Sequence, residues 1–534
     1  MRWHRGIPDK DARLIRHTDH VLKGSLSTPS SKLLQTQRFN LLHSHFSHHE
    51  VMEGIAEWGL DELKEVCPTY YERGPPQYEE HTKPWSTAAD RHAMLVVVPK
   101  NLTTLQKVVK ALSGSILDFA IRGTGTGSSS AYDAVVSMQG FKSFEFNPIT
   151  EIATVGAGLT WGEVDKLVDT HAPGYGAVGA RCPWVGVAGC ALVGGISWLS
   201  LEHGLVSDPQ NLIDAQVVLR DGRVVWAKED GEEDLMWALR GGGGNFGVVS
   251  ALKIHLKRVS PKIFSALVTV PYSSLAETSK AVAAMHRRPG DPKVAMFVAN
   301  QGPGMGQSVQ GARPGIVLTL YDVHGEAHAR SEEGFAWAFQ LPGAVELGGG
   351  EMTLSQVNAL PSAYAAWHGT SRYRCSAPLI SDIDDEFIVR LWKWYEDTIT
   401  LHQGFENGSS MIFEMMQEPV FNSVSSPAST AWPHARGRRH VMQVALVTSP
   451  EDTSEEVESI ASTQLERLTS QITAGHGFHG EYFVAWLQDW NNLSEVYGEN
   501  WDRLLAVKRK YDPEDRFYRA IGLRRQEGSK GVAV

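Results

Sequence analysis

Two of the four cysteines in this 534-residue chain, Cys182 and Cys190, close the ends of one short stretch, RCPWVGVAGC. A thiolate is a nucleophile and a metal ligand, so such a loop invites chemistry. Cys67 and Cys375 lie far from it, and the four spacings match neither a zinc site nor a disulfide framework. Glycine offers a second chemistry. RGTGTGSSS (122–130), the cysteine loop and RGGGGNFGVV (240–249) follow one another along the chain. Without a Cβ, glycine lets backbone come close to a ligand and turns several amides toward one anion. RGTGTGSSS suits a pyrophosphate, with Arg122 adding charge. It is not the GxGxxG dinucleotide fingerprint, because no helix follows within a βαβ unit. One such run reads as an ordinary turn, but three in one domain point to a large, flat, phosphate-bearing cofactor. His43, His45, His48 and His49 in LLHSHFSHHE have metal-ligand chemistry but read as a solvated helix face or arm, so no metal is expected.

Regular elements must hold these loops. AMLVVV (93–98) reads as a strand, followed by a helix with Leu105, Val108, Val109 and Leu112 on one face. LDFAI (117–121) runs into the first glycine loop, and EIATV (151–155) leads through GAG into a helix carrying Trp161, Val164, Leu167 and Val168. AQVVL and VVWA (215–227) read as a hairpin, and RGGGGNFGVV flows into an alternating strand with Leu252, Ile254 and Leu256. Strands and helices mix without strict βαβ alternation, which favours an α+β class.

Composition narrows the function. The length implies two or more folding units, and 42% hydrophobic with 21% charged residues describes a globular protein. A net charge of −11 argues against a nucleic-acid partner. The uncharged window 183–201 is long enough to raise a membrane question. Its four glycines, proline and two serines read instead as a buried turn and strand, so no membrane span is expected. The first thirty residues carry no apolar h-region, which gives no recognisable signal peptide and an expected cytoplasmic location.

The ordered set RGTGTGSSS, GAGLTWGEV (156–164), CPWVGVAG (182–189), GGISWLSLEHGLVSD (194–208) and LMWALRGGGGNFGVV (235–249) closely resembles FAD-linked oxidases of the p-cresol methylhydroxylase/vanillyl-alcohol oxidase superfamily. The branch is the berberine-bridge-enzyme-like one, of the fungal secondary-metabolism type. Its C-terminal signature stands as YGENWDRLLAVKRKYDPEDRFY (497–518), and TAWPHARGRRHVMQ (430–443) resembles a shorter family pattern. The resemblance implies an N-terminal extension (1–87) and a PCMH-type FAD-binding domain of two α+β subdomains (88–260). It further implies a substrate domain with a helix-covered antiparallel sheet (261–470) and a segment returning to the FAD domain (471–534). FAD would be held by Arg122, Gly123, Thr124, Gly125, Thr126, Gly127 and Ser128, then by Cys182, Val185, Gly186 and Gly189. Gly194, Gly195, Trp198, Gly247, Val248, Val249 and Asn500 complete the implied set.

In bicovalent relatives a histidine in Arg-x-Gly-Gly-His and a cysteine in Cys-Pro-x-Val-Gly hold the flavin. Cys182-Pro183-Trp184-Val185-Gly186 matches the second, whereas Thr126 stands where the histidine would be. No histidyl link is expected, which leaves one cysteinyl bond through Cys182 or none. The family's chemistry is hydride removal aided by a base, with flavin reoxidised by dioxygen. Gln443 would face the flavin but can only orient. The family's Tyr-x-Asn-Tyr motif is replaced by Ala485-Trp486-Leu487-Gln488-Asp489-Trp490. Tyr482, Asp489 and His434 remain as candidates, His434 doubling as a structural hydrogen-bonding residue. Sixteen tryptophans suit a flat hydrophobic substrate. Two readings stand: an oxidase of a hydrophobic small molecule, and a flavoprotein-fold cyclase or binding protein with structural FAD. A dehydrogenase passing electrons to a partner protein is the third.

Overall fold

The computed structural model describes residues 48–127, 129–301, 315–406, 408–416, 419–424, 426–434, 437–519 and 521–523. Ser128, His43 and His45 lie outside these, as do the side chains of His48 and His49. The chain divides into units 1–58 and 59–534, and the architecture below is that of the second.

Three sheets carry it. The first orders β1 (Tyr70–Glu72), β2 (Leu95–Val97), β4 (Ala134–Ser137) and β3 (Phe119–Arg122), with β2, β4 and β3 parallel and β1 antiparallel at the edge. The helix Leu102–Gly114 crosses between β2 and β3. Asn101 caps it, its side chain accepting from Thr104 N at 2.9 Å, which is worth about 1 kcal/mol. As the apolar spacing requires, Leu105, Val108, Val109 and Leu112 are all buried.

In the second sheet, β10 (Val248–Arg258) is central and antiparallel to β6 (Ile152–Gly156), β7 (Tyr175–Ala177) and β8 (Leu212–Val218). The edges are β5 (Phe144–Asn147) and β9 (Val224–Trp226). The helix Trp161–His171 leaves this sheet through a capping box: Thr160 Oγ1 accepts from Glu163 N, and the Glu163 carboxylate accepts from Thr160 N at 2.8 Å.

The third sheet is nine-stranded and antiparallel. Its order is β14 (Val345–Met352), β11 (Ile263–Val270), β13 (Gly315–Asp322), β12 (Val294–Gln301), β17 (Ser410–Met415), β18 (His440–Thr448), β16 (Pro378–Ile380) and β19 (Gly477–Tyr482), with β15 (Arg372–Ser376) also on β18. The last strand thus comes from beyond residue 470. Alternation splits its faces. Met411, Phe413, Met442, Val444 and Leu446 pack under the helices Leu275–Arg287, Asp385–Ile399 and Glu455–Arg467. Their neighbours in the strands, among them Phe297, Glu414 and Gln443, face the segment 181–198, where Arg181 and Trp198 meet them.

The uncharged window 183–201 folds as two short helices, Val187–Ala191 and Ser200–His203, joined by turns. Among the described residues no helix is long and apolar enough to cross a membrane.

Candidate functional site

The glycine-bearing loops converge on one another. Gly125 adopts φ +84°, where an added Cβ would strike the Arg122 guanidinium and Lys83 O at 2.7–2.8 Å, so only glycine fits. Cys182–Val187 is laid across the capped start of the helix Trp161–His171. Trp161 N donates to Val185 O at 2.9 Å, Gly162 N to Pro183 O at 3.0 Å and Val187 N to Leu159 O at 2.9 Å. Gly186 then abuts Thr124, an ideal Cβ there lying 3.0 Å from Thr124 Oγ1. Thr124 and Thr126 hydroxyls are 3.1 Å apart, and Thr126 Oγ1 donates to Trp184 O at 3.4 Å. Leu192 O accepts from Gly241 N and Gly243 N, tying the cysteine loop to RGGGGN.

These residues fit an FAD. Arg122 is 2% exposed and uses Nη2 on Lys83 O at 2.9 Å, while Nε and Nη1 are buried with no protein partner. Burial pulls its pKa down to about 10, so an anion beside it would be strongly favoured. Gly127 and Gly189 have open space where a Cβ would stand. Val248 and Val249 pair with Val218 and Val217 in β10–β8, and Gly247 packs against the same pair of valines. Trp198 and Asn500 also make contacts within the protein. Trp198 lies flat on Phe297 and Tyr321 of the third sheet, 4.5 Å from each. Asn500 donates to Thr430 O and Ala431 O, clamping the C-terminal segment to the 430–434 loop. Gly194 and Gly195 border Phe483 and the Cys190 thiol.

On the sheet face above, sequence reasoning missed the main group. Glu414, 2% exposed, stands diagonally from Gln443 because Ile412 pairs with Gln443 across β17 and β18. Gln443 Nε2 donates to one carboxylate oxygen, and Arg181 Nη2 donates to the other at 2.6 Å. Arg181 Nη1 is buried without a partner, and the guanidinium lies 4.5 Å from the Phe297 ring centroid. Burial raises the Glu414 carboxyl above its ordinary range against the opposing pull of Arg181. One sequence signal existed: MIFEMM is a lone acid in an apolar strand. Cys182, next to Arg181, keeps some surface as a residue, yet burial pushes its thiol up to about 11, with Arg181 lowering and Glu414 raising it.

The other candidates are dispersed. Tyr482 turns its hydroxyl toward Thr469, with Glu466 and Glu495 nearby, and burial raises it. Asp489 is exposed. His434 Nε2 bonds Asp208 Oδ1 at 2.6 Å, both buried, and Asp208 also accepts from Leu205 N and Ser423 Oγ. That network staples the 430–434 loop to the segment leading into β8, the structural role the sequence allowed. Among the described residues no three His, Cys, Asp or Glu side chains could hold a metal ion.

Comparison with known proteins agrees with this layout. A family described as an FAD binding domain matches residues 93–228, and one described as berberine and berberine like matches 486–523. The FAD-linked oxidoreductase pgmH of Aspergillus terreus is 26% identical over 83% of this chain and 90% of its own length. The FAD-linked oxidoreductase aurO of Gibberella zeae is 24% identical over 94% and 97%. Among solved structures, berberine bridge enzyme from Eschscholzia californica superposes with TM-score 0.69 at 15% identity, covering 86% of this chain and 97% of that one. The 6-hydroxy-D-nicotine oxidase of Arthrobacter nicotinovorans gives TM-score 0.70 at 22% identity, covering 85% and 96%; both likenesses are of fold.

Proposed function

We propose that this chain, an FAD-linked oxidoreductase of the berberine-bridge-enzyme-like branch of the p-cresol methylhydroxylase/vanillyl-alcohol oxidase superfamily, oxidises a hydrophobic small molecule in secondary metabolism with dioxygen as acceptor. The observation that supports it is the buried Arg181–Glu414–Gln443 cluster beside Cys182. When bound, FAD supplies the hydride acceptor and passes the electrons to dioxygen. Glu414 takes the proton that a substrate hydroxyl or amine gives up as its carbon loses hydride. Over the reaction an alcohol becomes a carbonyl, and dioxygen becomes hydrogen peroxide.

The cluster has the properties such a base needs. A carboxyl raised by burial holds a proton more tightly than an exposed one, which brings its basicity closer to neutral pH. Gln443 cannot take a proton but fixes one carboxylate oxygen by donating to it. Arg181 keeps the ion from being buried unpaired and has Nη1 left for a developing oxyanion. Thr126 leaves the histidine position without a nucleophile, so attachment of flavin, where it occurs, runs through Cys182 alone.

Anaerobic mixing of FAD-loaded protein with candidate aromatic compounds that carry a benzylic alcohol or amine tests the reading. Bleaching of the flavin followed by recovery in air is the expected result. Turnover of a substrate with the flavin unbleached throughout would instead support a cyclase with structural FAD.

A further inference from the structure

Residues 83–87 form a strap between the first glycine loop and the third sheet. Trp85 N donates to Gly125 O, and Trp85 O accepts from Gly369 N, both at 2.9 Å. Thr87 N donates to Ser371 O at 3.0 Å, and Tyr373 N to Ser86 Oγ at 2.9 Å. Lys83 O accepts twice, from Arg122 Nη2 and from His368 Nε2, each at 2.9 Å. The backbone of the strap is therefore fixed at both ends before any side chain is considered.

That fixing delivers one indole to three other rings. Trp85 stacks on Trp184 of the cysteine loop at 5.6 Å and 13°. It also tilts against His368 at 5.4 Å and Tyr373 at 6.1 Å. All four residues are only half-buried, whereas Trp161, Trp392 and Tyr395 are enclosed completely. Aromatic rings held rigidly and left partly open are suited to binding a planar apolar partner.

Their position is specific. Tyr373 pairs with Val447 across β15 and β18, on the same sheet face as Gln443. Four residues of strand separate Val447 from Gln443, about 13 Å at ~3.3 Å per residue. The cluster also touches the flavin loops directly, through Gly125 and through Thr126, whose hydroxyl donates to Trp184 O.

We propose that Trp85, Trp184, His368 and Tyr373 form a distal subsite for the far end of a planar, fused-ring substrate whose oxidisable group sits at Glu414 and Gln443. This rests on the oxidase reading above and names its substrate class: a polycyclic aromatic compound bearing a benzylic alcohol or amine, rather than a single-ring one. One ring cannot reach both ends of a ~13 Å span, whereas a three-ring system with its substituents can.

Equilibrium dialysis of FAD-loaded protein against phenol and against 1,8-dihydroxyanthraquinone tests the subsite without requiring turnover. Trp85→Ala is expected to weaken the three-ring probe about tenfold, from the loss of one or two ring contacts. Phenol affinity and FAD occupancy should stay at the parent values, and Trp85→Phe should restore most of the loss. Should Trp85→Ala not fold, Tyr373→Ala, which leaves the backbone anchors of the strap in place, is read in the same way. Equal loss for both probes, or no loss for either, overturns the subsite. Intact dialysis behaviour with no flavin reduction by any polycyclic benzylic alcohol or amine would fail the oxidase reading and leave the subsite standing.

Discussion

At Glu414 two opposing effects act on one carboxyl, burial raising its proton affinity and the Arg181 guanidinium lowering it, with burial the larger. A base must be ionised to work, so kcat/KM should climb with pH through an apparent value above the ordinary carboxylate range. Glu414→Gln should lower kcat by about 10²–10⁴ and flatten that limb while keeping the flavin spectrum of the parent. An unchanged pH profile would remove Glu414 from the reaction. Cys182 presents the reverse problem. Burial holds the thiol near 11, so at neutral pH little of it is the nucleophilic thiolate. Reconstitution with FAD should therefore give acid-stable flavin faster at pH 9 than at pH 7. Cys182→Ala should release all its flavin into acid, and Cys190→Ala should behave as the parent. Complete release from the parent at both pH values would show a flavin held without a covalent bond.

The helix Trp161–His171 does more than start beneath the cysteine loop. Its Asp165 accepts from Asn358 Nδ2 at 3.0 Å, joining it to the helix Leu354–Ala359. Burial, helped by Asp169, raises this carboxyl to about 7. The native state then holds a proton that the unfolded chain, with an ordinary carboxyl, releases near 3.8. Stability should fall as pH rises from that value through about 7. Asp165→Asn keeps an acceptor for Asn358 and removes the titration. The melting temperature of the variant relative to the parent should therefore rise steadily from pH 4 to pH 8; parallel curves for the two proteins would refute the assignment.

Over the whole molecule, one apolar core runs from the second sheet through the 430–434 loop into the C-terminal helix Trp501–Tyr511. Leu504, Leu505, Val507 and Tyr511 are buried in it, each aliphatic side chain contributing about 1.5–3 kcal/mol. Lys508, wholly buried, meets Asp512 at 2.6 Å and Asp515 at 2.9 Å and donates to Asn245 O in the RGGGGN loop. Tyr497 donates to Gly241 O in the same loop. Deleting 500–534 should consequently abolish flavin occupancy and depress the melting temperature sharply. Lys508→Met, which strands Asp512 in the core, should cost about 3–5 kcal/mol in denaturant unfolding. Full flavin occupancy and unchanged stability in the truncated chain would mean that the segment is dispensable.

The α+β class, the glycine turns, the amphipathic helices and the cysteine loop were legible in the residues alone. Each depends on near neighbours: a side-chain period and a backbone angle only glycine tolerates. Gln443 was singled out by the family resemblance of TAWPHARGRRHVMQ. What reaches Gln443 was not legible, because Arg181 and Glu414 meet across 233 positions and only strand register decides which residues oppose. For the same reason the stacking of Trp198 on Phe297, the bonds of Asn500 to Thr430 O and Ala431 O, and the rest of Trp85 on Trp184 could not be read from the residues. Local sterics write the elements into the sequence, whereas the burial of a carboxyl beside one particular cation exists only after three sheets have closed on one another.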